Sequence, residues 1–264
     1  MSIDGNVSAA DLVLDLLEAH DGHQLSVQDL TRGAELFDIQ EQAVRVALTR
    51  LVKQNKVDIR SRGVYALNTG SSTLLNDVEN WLQREQQAIE WNGRWIGISD
   101  CAVARADKVA WRRHQRALAL RGFRALQDGF HLRPDNLRGG AAALRQDLDD
   151  LGLAASSLVL CVTDLDEADE RNARGLWDIE GLEQQYRTML DVLAASQQEL
   201  AAVALEEAAR QSLLIGRAVI RLILHDPLLP DELMGGNLRA QLIARMRDYQ
   251  SWAKARWMEL LGSA

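Results

Sequence analysis

Residues 43–67, AVRVALTRLVKQNKVDIRSRGVYAL, change hydrophobic period partway along. Up to Lys53, the apolar residues Val44, Leu48 and Leu51 recur at i, i+4 and i+7, which is one face of a helix. Beyond it, Val57 and Ile59 alternate with polar residues, Ser61-Arg62-Gly63 offers a turn, and Val64, Tyr65 and Leu67 make a return strand. A helix that feeds a hairpin within a few residues leaves few folds open. The same stretch segregates charge. Arg45, Arg50, Lys53, Arg60, Arg62 and Lys56 stand against the single acid Asp58, in a chain whose formal net charge is -8. A basic helix face is commonly just solvated, but solvation alone predicts mixed signs. Segregated positive charge fits a polyanion.

Two helices are expected upstream. Leu12, Val13, Leu16 and Leu17 share a face behind a possible Ser8 cap. Ser26 with Asp29 three residues on has the form of a capping box, followed by Leu30, Ala34 and Phe37. Three short helices followed by a basic-tipped hairpin describe a winged helix-turn-helix over residues 1–72. The third helix is then the reader of a DNA major groove, with the hairpin reaching phosphates or the minor groove. Arg45, near the start of that helix, is the expected base-contacting residue, and Gln40 and Gln42 are secondary candidates. Thr49, Arg50 and Lys53 are expected on phosphates, with Arg60 and Arg62 from the wing. Arg50 has an alternative partner in Glu35.

A chain of 264 residues is long enough for two or three domains. Only three prolines interrupt it, which favours helix. It shows no apolar run of the ~18 residues a membrane span needs, and no signal-peptide pattern at its start, so a cytoplasmic, membrane-free protein is expected. Cys101 and Cys161 lie in apolar, strand-like stretches and are expected to be buried thiols.

Residues 73–90 are expected to form a linking helix, with Leu75, Val78, Leu82 and Ile89 on one side. From residue 91 to 168 the pattern runs strand, helix, two short strands, helix, strand, the order of a ferredoxin-like fold. Helices fill residues 169–264, broken at HDPLLPDELMGGN. The fold class expected is therefore α+β: winged helix-turn-helix, ferredoxin-like middle domain, helical C-terminal domain. Trp91 and Trp95 are expected to pack between domains, and Met246, Trp252 and Trp257 in a helical core or dimer face.

AVRVALTRL after FDI, WNGRW, RALALRGF, GLWDIEGLEQQYRTML and DPLLPDEL stand in this order along nearly the whole chain. In these stretches the sequence resembles the PaaX family of transcriptional regulators, the repressors of phenylacetate catabolism and their relatives. The resemblance implies a homodimer that represses an aromatic-catabolic operon by binding double-stranded operator DNA. It also implies release by an aromatic acyl-coenzyme A. Arg112, Arg113 and Arg116, on one face of a helix, would suit the coenzyme's phosphates, although a solvated face is the alternative. Trp91 and Trp95 would line the pocket for its acyl group. The chain departs from the family where Asp38-Ile39-Gln40 precedes the third helix and where Met234-Gly235-Gly236-Asn237 follows DPLLPDEL. Gln is a poor N-cap, so Asp38 is expected to cap one residue early, or the helix end to fray.

Two other function classes compete. Asp100, ending the first middle-domain strand, resembles the single acidic residue of small ferredoxin-like nucleases, but one carboxylate holds a catalytic Mg2+ poorly. A winged helix can also serve as a protein-interaction scaffold. The five histidines lack metal-ligand spacing, and there is no G-x-S-x-G, Walker loop or G-x-G-x-x-G, so neither cofactor nor catalysis is expected.

Overall fold

The computed structural model describes residues 7–20, 22–68 and 81–262. It is mixed α+β, with two antiparallel sheets and a helical C-terminal region. The chain divides into two compact units: Met1–Glu79 with Thr188–Arg221 and Gln241–Ala264, and Asn80–Arg187 with Leu222–Ala240.

In the first unit, helix α1 (Ala9–Ala19) starts at Ser8, whose hydroxyl accepts from the Asp11 amide at 3.2 Å. Helix α2 (Val27–Glu35) begins with the complete capping box. The Ser26 hydroxyl accepts from the Asp29 amide, and the Asp29 carboxylate accepts from the Ser26 amide. Helix α3 spans Glu41–Lys53, followed by strands β2 (Val57–Ser61) and β3 (Val64–Leu67). Strand β1 (Gln24–Ser26) pairs antiparallel with β3, so the sheet order is β1-β3-β2. Three residues are too few to show alternation, which is why this strand reads as loop in the sequence.

Leu12, Leu16, Leu30, Val44, Leu48 and Leu51 form the unit's core, together with Leu213 and Leu214 of α8 (Leu205–Leu224) and Trp257 and Leu260 of α9 (Leu238–Gly262). Gly33 lets helices close there. A Cβ at this position would lie 2.8 Å from Leu16 Cδ1 and 3.3 Å from Trp257 Cζ3. Arg217 pairs with Asp15 in the same unit.

In the second unit the expected order of strands and helices is found: β4 (Trp95–Ser99), α4 (Lys108–Leu120), β5 (Arg124–Gln127), β6 (Phe130–Pro134), α5 (Gly140–Leu151), β7 (Leu158–Val162). The antiparallel sheet runs β5-β6-β4-β7. Ile96 and Ile98 of β4 pack with Ala117 and Leu118 of α4 and Leu144 and Leu148 of α5. Helices α6 (Glu167–Arg174) and α7 (Ile179–Leu200) follow.

Several expectations need correction. Ile59 is 59% exposed, whereas Val57, on the same side of the strand, is buried, because that side is covered only at the root of the hairpin. Both cysteines are exposed: Cys101 stands past the end of β4, and Cys161 lies on the edge strand β7. Of the linking helix, Leu75 and Val78 lie outside the described residues, and Trp81–Gln87 is a 3-10 helix. Gln40 is the N-cap residue of α3, in extended conformation and without a side-chain cap. Asp38 instead takes a left-handed φ of 58°.

Candidate nucleic-acid interface

Val44, Ala47, Leu48 and Leu51 bury one face of α3, and that face fixes what the opposite one presents. Gln42, Arg45, Thr49, Arg50 and Lys53 are exposed, as are Gln40 at the helix entrance and Arg60 and Arg62 at the hairpin. All eight predicted residues thus lie on solvent-facing positions of one helix and the hairpin next to it.

Their side chains differ in what they have free. Arg45 donates from Nε and Nη2 to the Glu41 carboxylate, at 2.8 and 2.6 Å. Both partners are more than half exposed, so this pair is worth at most about 1 kcal/mol and yields easily to a better anion. The Thr49 hydroxyl donates to the Arg45 carbonyl at 2.9 Å. A phosphate only accepts, so Thr49 can serve one only by giving up that bond. Arg50 forms no ion pair with Glu35 among the described residues. Arg60 lies 3.9 Å from Asp58, a weak pairing. Val46 stands 59% exposed in the middle of this face. Its spacing from Val44, Ala47 and Leu48 places it on the outward side, a signal already present in the sequence.

In the second unit, Arg112, Arg113 and Arg116 are exposed on α4. Arg113 donates from Nε to the Leu151 carbonyl at 3.4 Å and lies across Gly152, whose left-handed φ of 100° and missing side chain make the room. Trp91 and Trp95 are buried, edge to face at 5.0 Å, and Trp177 stacks on Trp95 at 6.2 Å. The Trp95 indole N–H donates to Glu170 at 2.8 Å, and the Arg174 guanidinium lies 5.0 Å from the centre of the Trp91 ring. Side chains alternate along β4, so Trp95 faces away from Ile96, Ile98 and α4. The structure therefore brings the arginines together with each other, and the tryptophans together with each other, on opposite faces of the sheet.

Two polar clusters had no signal in the sequence. Asp100 Oδ2 lies 3.1 Å from His114 Nε2 and 3.0 Å from His131 Nε2, and Asp100 and His114 are fully buried. The Ala154 amide donates to His114 Nδ1, so the His114 proton sits on Nε2 and points at the carboxylate. Asp100 is thus engaged by histidines 14 and 31 positions away, separations that spacing rules do not cover.

The second cluster clasps the DPLLP stretch. Asp226 accepts from the Tyr186 hydroxyl, from Arg239 Nε at 2.8 Å and from the Leu228 amide at 2.6 Å. Burial and the Asp226 carboxylate push the Tyr186 phenol pKa up, so it remains a donor. Arg133, fully buried, donates to the Arg121 and Pro134 carbonyls and to Asn136 Oδ1, and Asn136 donates to the Leu228 carbonyl. Burial, with Arg84 and Arg121 nearby, pushes the Arg133 guanidinium down to about 9, which still leaves it charged at neutral pH. Gly122, at a φ of 75°, packs against Pro227, and its carbonyl accepts from the Trp177 indole.

Among the described residues, no group of three or more His, Cys, Asp or Glu is arranged to hold a metal ion, and no helix is long and apolar enough to cross a membrane.

The chain is 25% identical over 231 residues, 82% of its length and 70% of the other's, to the transcriptional repressor PaaX of Escherichia coli (strain K12). This bears out the resemblance carried by the sequence stretches above. No family model matches. A solved structure, the uncharacterized protein Rv0674 from Mycobacterium tuberculosis, shares the fold at a TM-score of 0.62 with 24% identity, over 97% of this chain and 99% of that one.

Proposed function

We propose that this chain is a DNA-binding transcriptional repressor, acting as a homodimer on a palindromic operator and released by an aromatic acyl-coenzyme A. The observation that carries the first part is the concentration of six Lys/Arg against the single acid Asp58 between Arg45 and Arg62, most of them on exposed positions of α3 and its hairpin, in a chain of net charge -8. The arrangement α1-α2-α3-β2-β3 supports a winged helix-turn-helix within residues 1–72. The sheet order β5-β6-β4-β7 supports a ferredoxin-like middle domain over 91–168, with helices from 169 onward. The similarity to the E. coli repressor supports repression as the outcome, and a phenylacetate-type operon as the target is what the family resemblance of the sequence stretches implies. Operator half-sites would then be spaced by whole helical turns.

The Glu41–Arg45 pair makes this reading testable on a single residue. Glu41 sits in the first turn of α3, where it both holds Arg45 and repels phosphate. Glu41→Gln is expected to raise affinity for duplex DNA about three- to tenfold, since it removes one repulsion and frees one guanidinium. Fluorescence anisotropy against a duplex from upstream of a neighbouring catabolic operon measures this. Unchanged or weaker binding would place the reading surface elsewhere.

For release, a ligand must bind the DNA-free arrangement better than the bound one. Arg112 and Arg116 are exposed and suited to the coenzyme's phosphates. Titration calorimetry with phenylacetyl-coenzyme A is expected to show binding to the DNA-free protein, and phenylacetate alone is expected to release the operator only poorly. Arg112→Ala with Arg116→Ala is expected to blunt release and spare DNA binding. No heat with any aromatic thioester would remove the effector from this proposal.

A further inference from the structure

We infer that Val46 reads the C5-methyl group of a thymine in each operator half-site, with the Thr49 methyl beside it. This rests on α3 being the DNA-reading helix. At 3.6 residues per turn, Val46 lies about 40° around the helix from Gln42 and about 60° from Thr49, inside the arc occupied by Arg45, Arg50 and Lys53. It is 59% exposed and takes no part in the unit's core. Single exposed apolar residues are ordinary on protein surfaces. Here both local terms also oppose a valine: its β-branch lowers helix propensity, and a cationic, polyanion-facing surface gains nothing from an apolar group in water. Thr49 adds to it. Its hydroxyl is bonded to the Arg45 carbonyl, so the group it presents one turn along from Val46 is its methyl.

The chemistry selects the occupant. The cations around Val46 match a phosphate backbone on either side of a groove. Inside the major groove, the thymine methyl is the one apolar group on the base edges; the other positions are donors or acceptors. An isopropyl group packed on cytosine N4 or guanine O6 would strip water from a polar atom and return no hydrogen bond. Packed on thymine, it buries a methyl against a methyl.

The test uses the full-length protein and a randomised duplex library. After selection, each thymine of the recovered duplex is replaced singly by deoxyuridine, which removes only the methyl, and affinity is measured at fixed salt. One thymine per half-site is expected to be sensitive, its loss weakening binding about three- to tenfold. Val46→Ala, at an exposed position where alanine is the better helix former, is expected to lose most of the difference between the thymine and deoxyuridine duplexes, the Thr49 methyl keeping the remainder. Two results overturn the inference: no single replacement changes affinity by twofold, or Val46→Ala keeps the full sensitivity. Failure to enrich any duplex overturns the DNA-reading assignment itself, and this inference with it.

Discussion

Raising the salt from ~50 to ~200 mM is expected to weaken duplex binding on the order of a thousandfold or more, because each neutralised phosphate releases condensed counterions. Six Lys/Arg lie between Arg45 and Arg62, and a dimer doubles them. Arg50 and Lys53, which hold no ion pair among the described residues, are the strongest contributors. Lys53→Ala is expected to weaken all sequences alike and to lower the slope of log K against log salt by about one per subunit. Arg45→Ala is expected to act chiefly on sequence preference. Anisotropy titrations at four salt concentrations, with specific and scrambled duplexes, measure both quantities. A protein using this face as a protein-interaction scaffold would give a flat line. Catalysis is separable in the same samples: duplex left intact with Mg2+ or Mn2+ is the expected result, and cleavage that vanishes in Asp100→Asn would establish the nuclease class instead.

Arg133→Met is expected to lower the stability of the second unit by about 3–5 kcal/mol, or roughly 10–20 °C in its calorimetric transition. The side chain is 2% exposed and reaches the Arg121 carbonyl, the Pro134 carbonyl and Asn136 Oδ1. Methionine fills much of the volume but leaves these acceptors buried without a donor, at about 1–3 kcal/mol each. The loss propagates through Asn136, whose amide holds the Leu228 carbonyl. Arg112→Met on the exposed face of α4 is the control, expected within about 0.5 kcal/mol of the parent. A transition for Arg133→Met indistinguishable from that control would show that the clasp contributes nothing.

The clasp also draws together residues from several of the stretches that carry the likeness to a repressor. Gly122 of RALALRGF, Trp95 of WNGRW, Trp177 and Tyr186 of GLWDIEGLEQQYRTML, and Asp226 and Pro227 of DPLLPDEL meet in the second unit. These stretches hold a buried polar network together, and such a network tolerates few residue types at each place.

What the sequence determined by itself is local. The capping box at Ser26, the Ser8 cap, the inward face of α3 and the strand–helix order of the second unit follow from interactions spanning three to eight residues, or from a period of 3.6 or 2. The basic face of α3 was legible for the same reason, since the residues that bury one side of a helix dictate what its other side shows. Tertiary structure alone decided the rest. Only folding brings His114 and His131 to Asp100, sets Arg133 among carbonyls, and exposes Cys161 by leaving β7 at a sheet edge. It also sets Trp95 and α4 on opposite faces of one sheet, although both carried residues expected at a single ligand site. Contacts between residues tens of positions apart have no period to betray them. They depend on which face each element turns inward, and that is settled only when the elements pack.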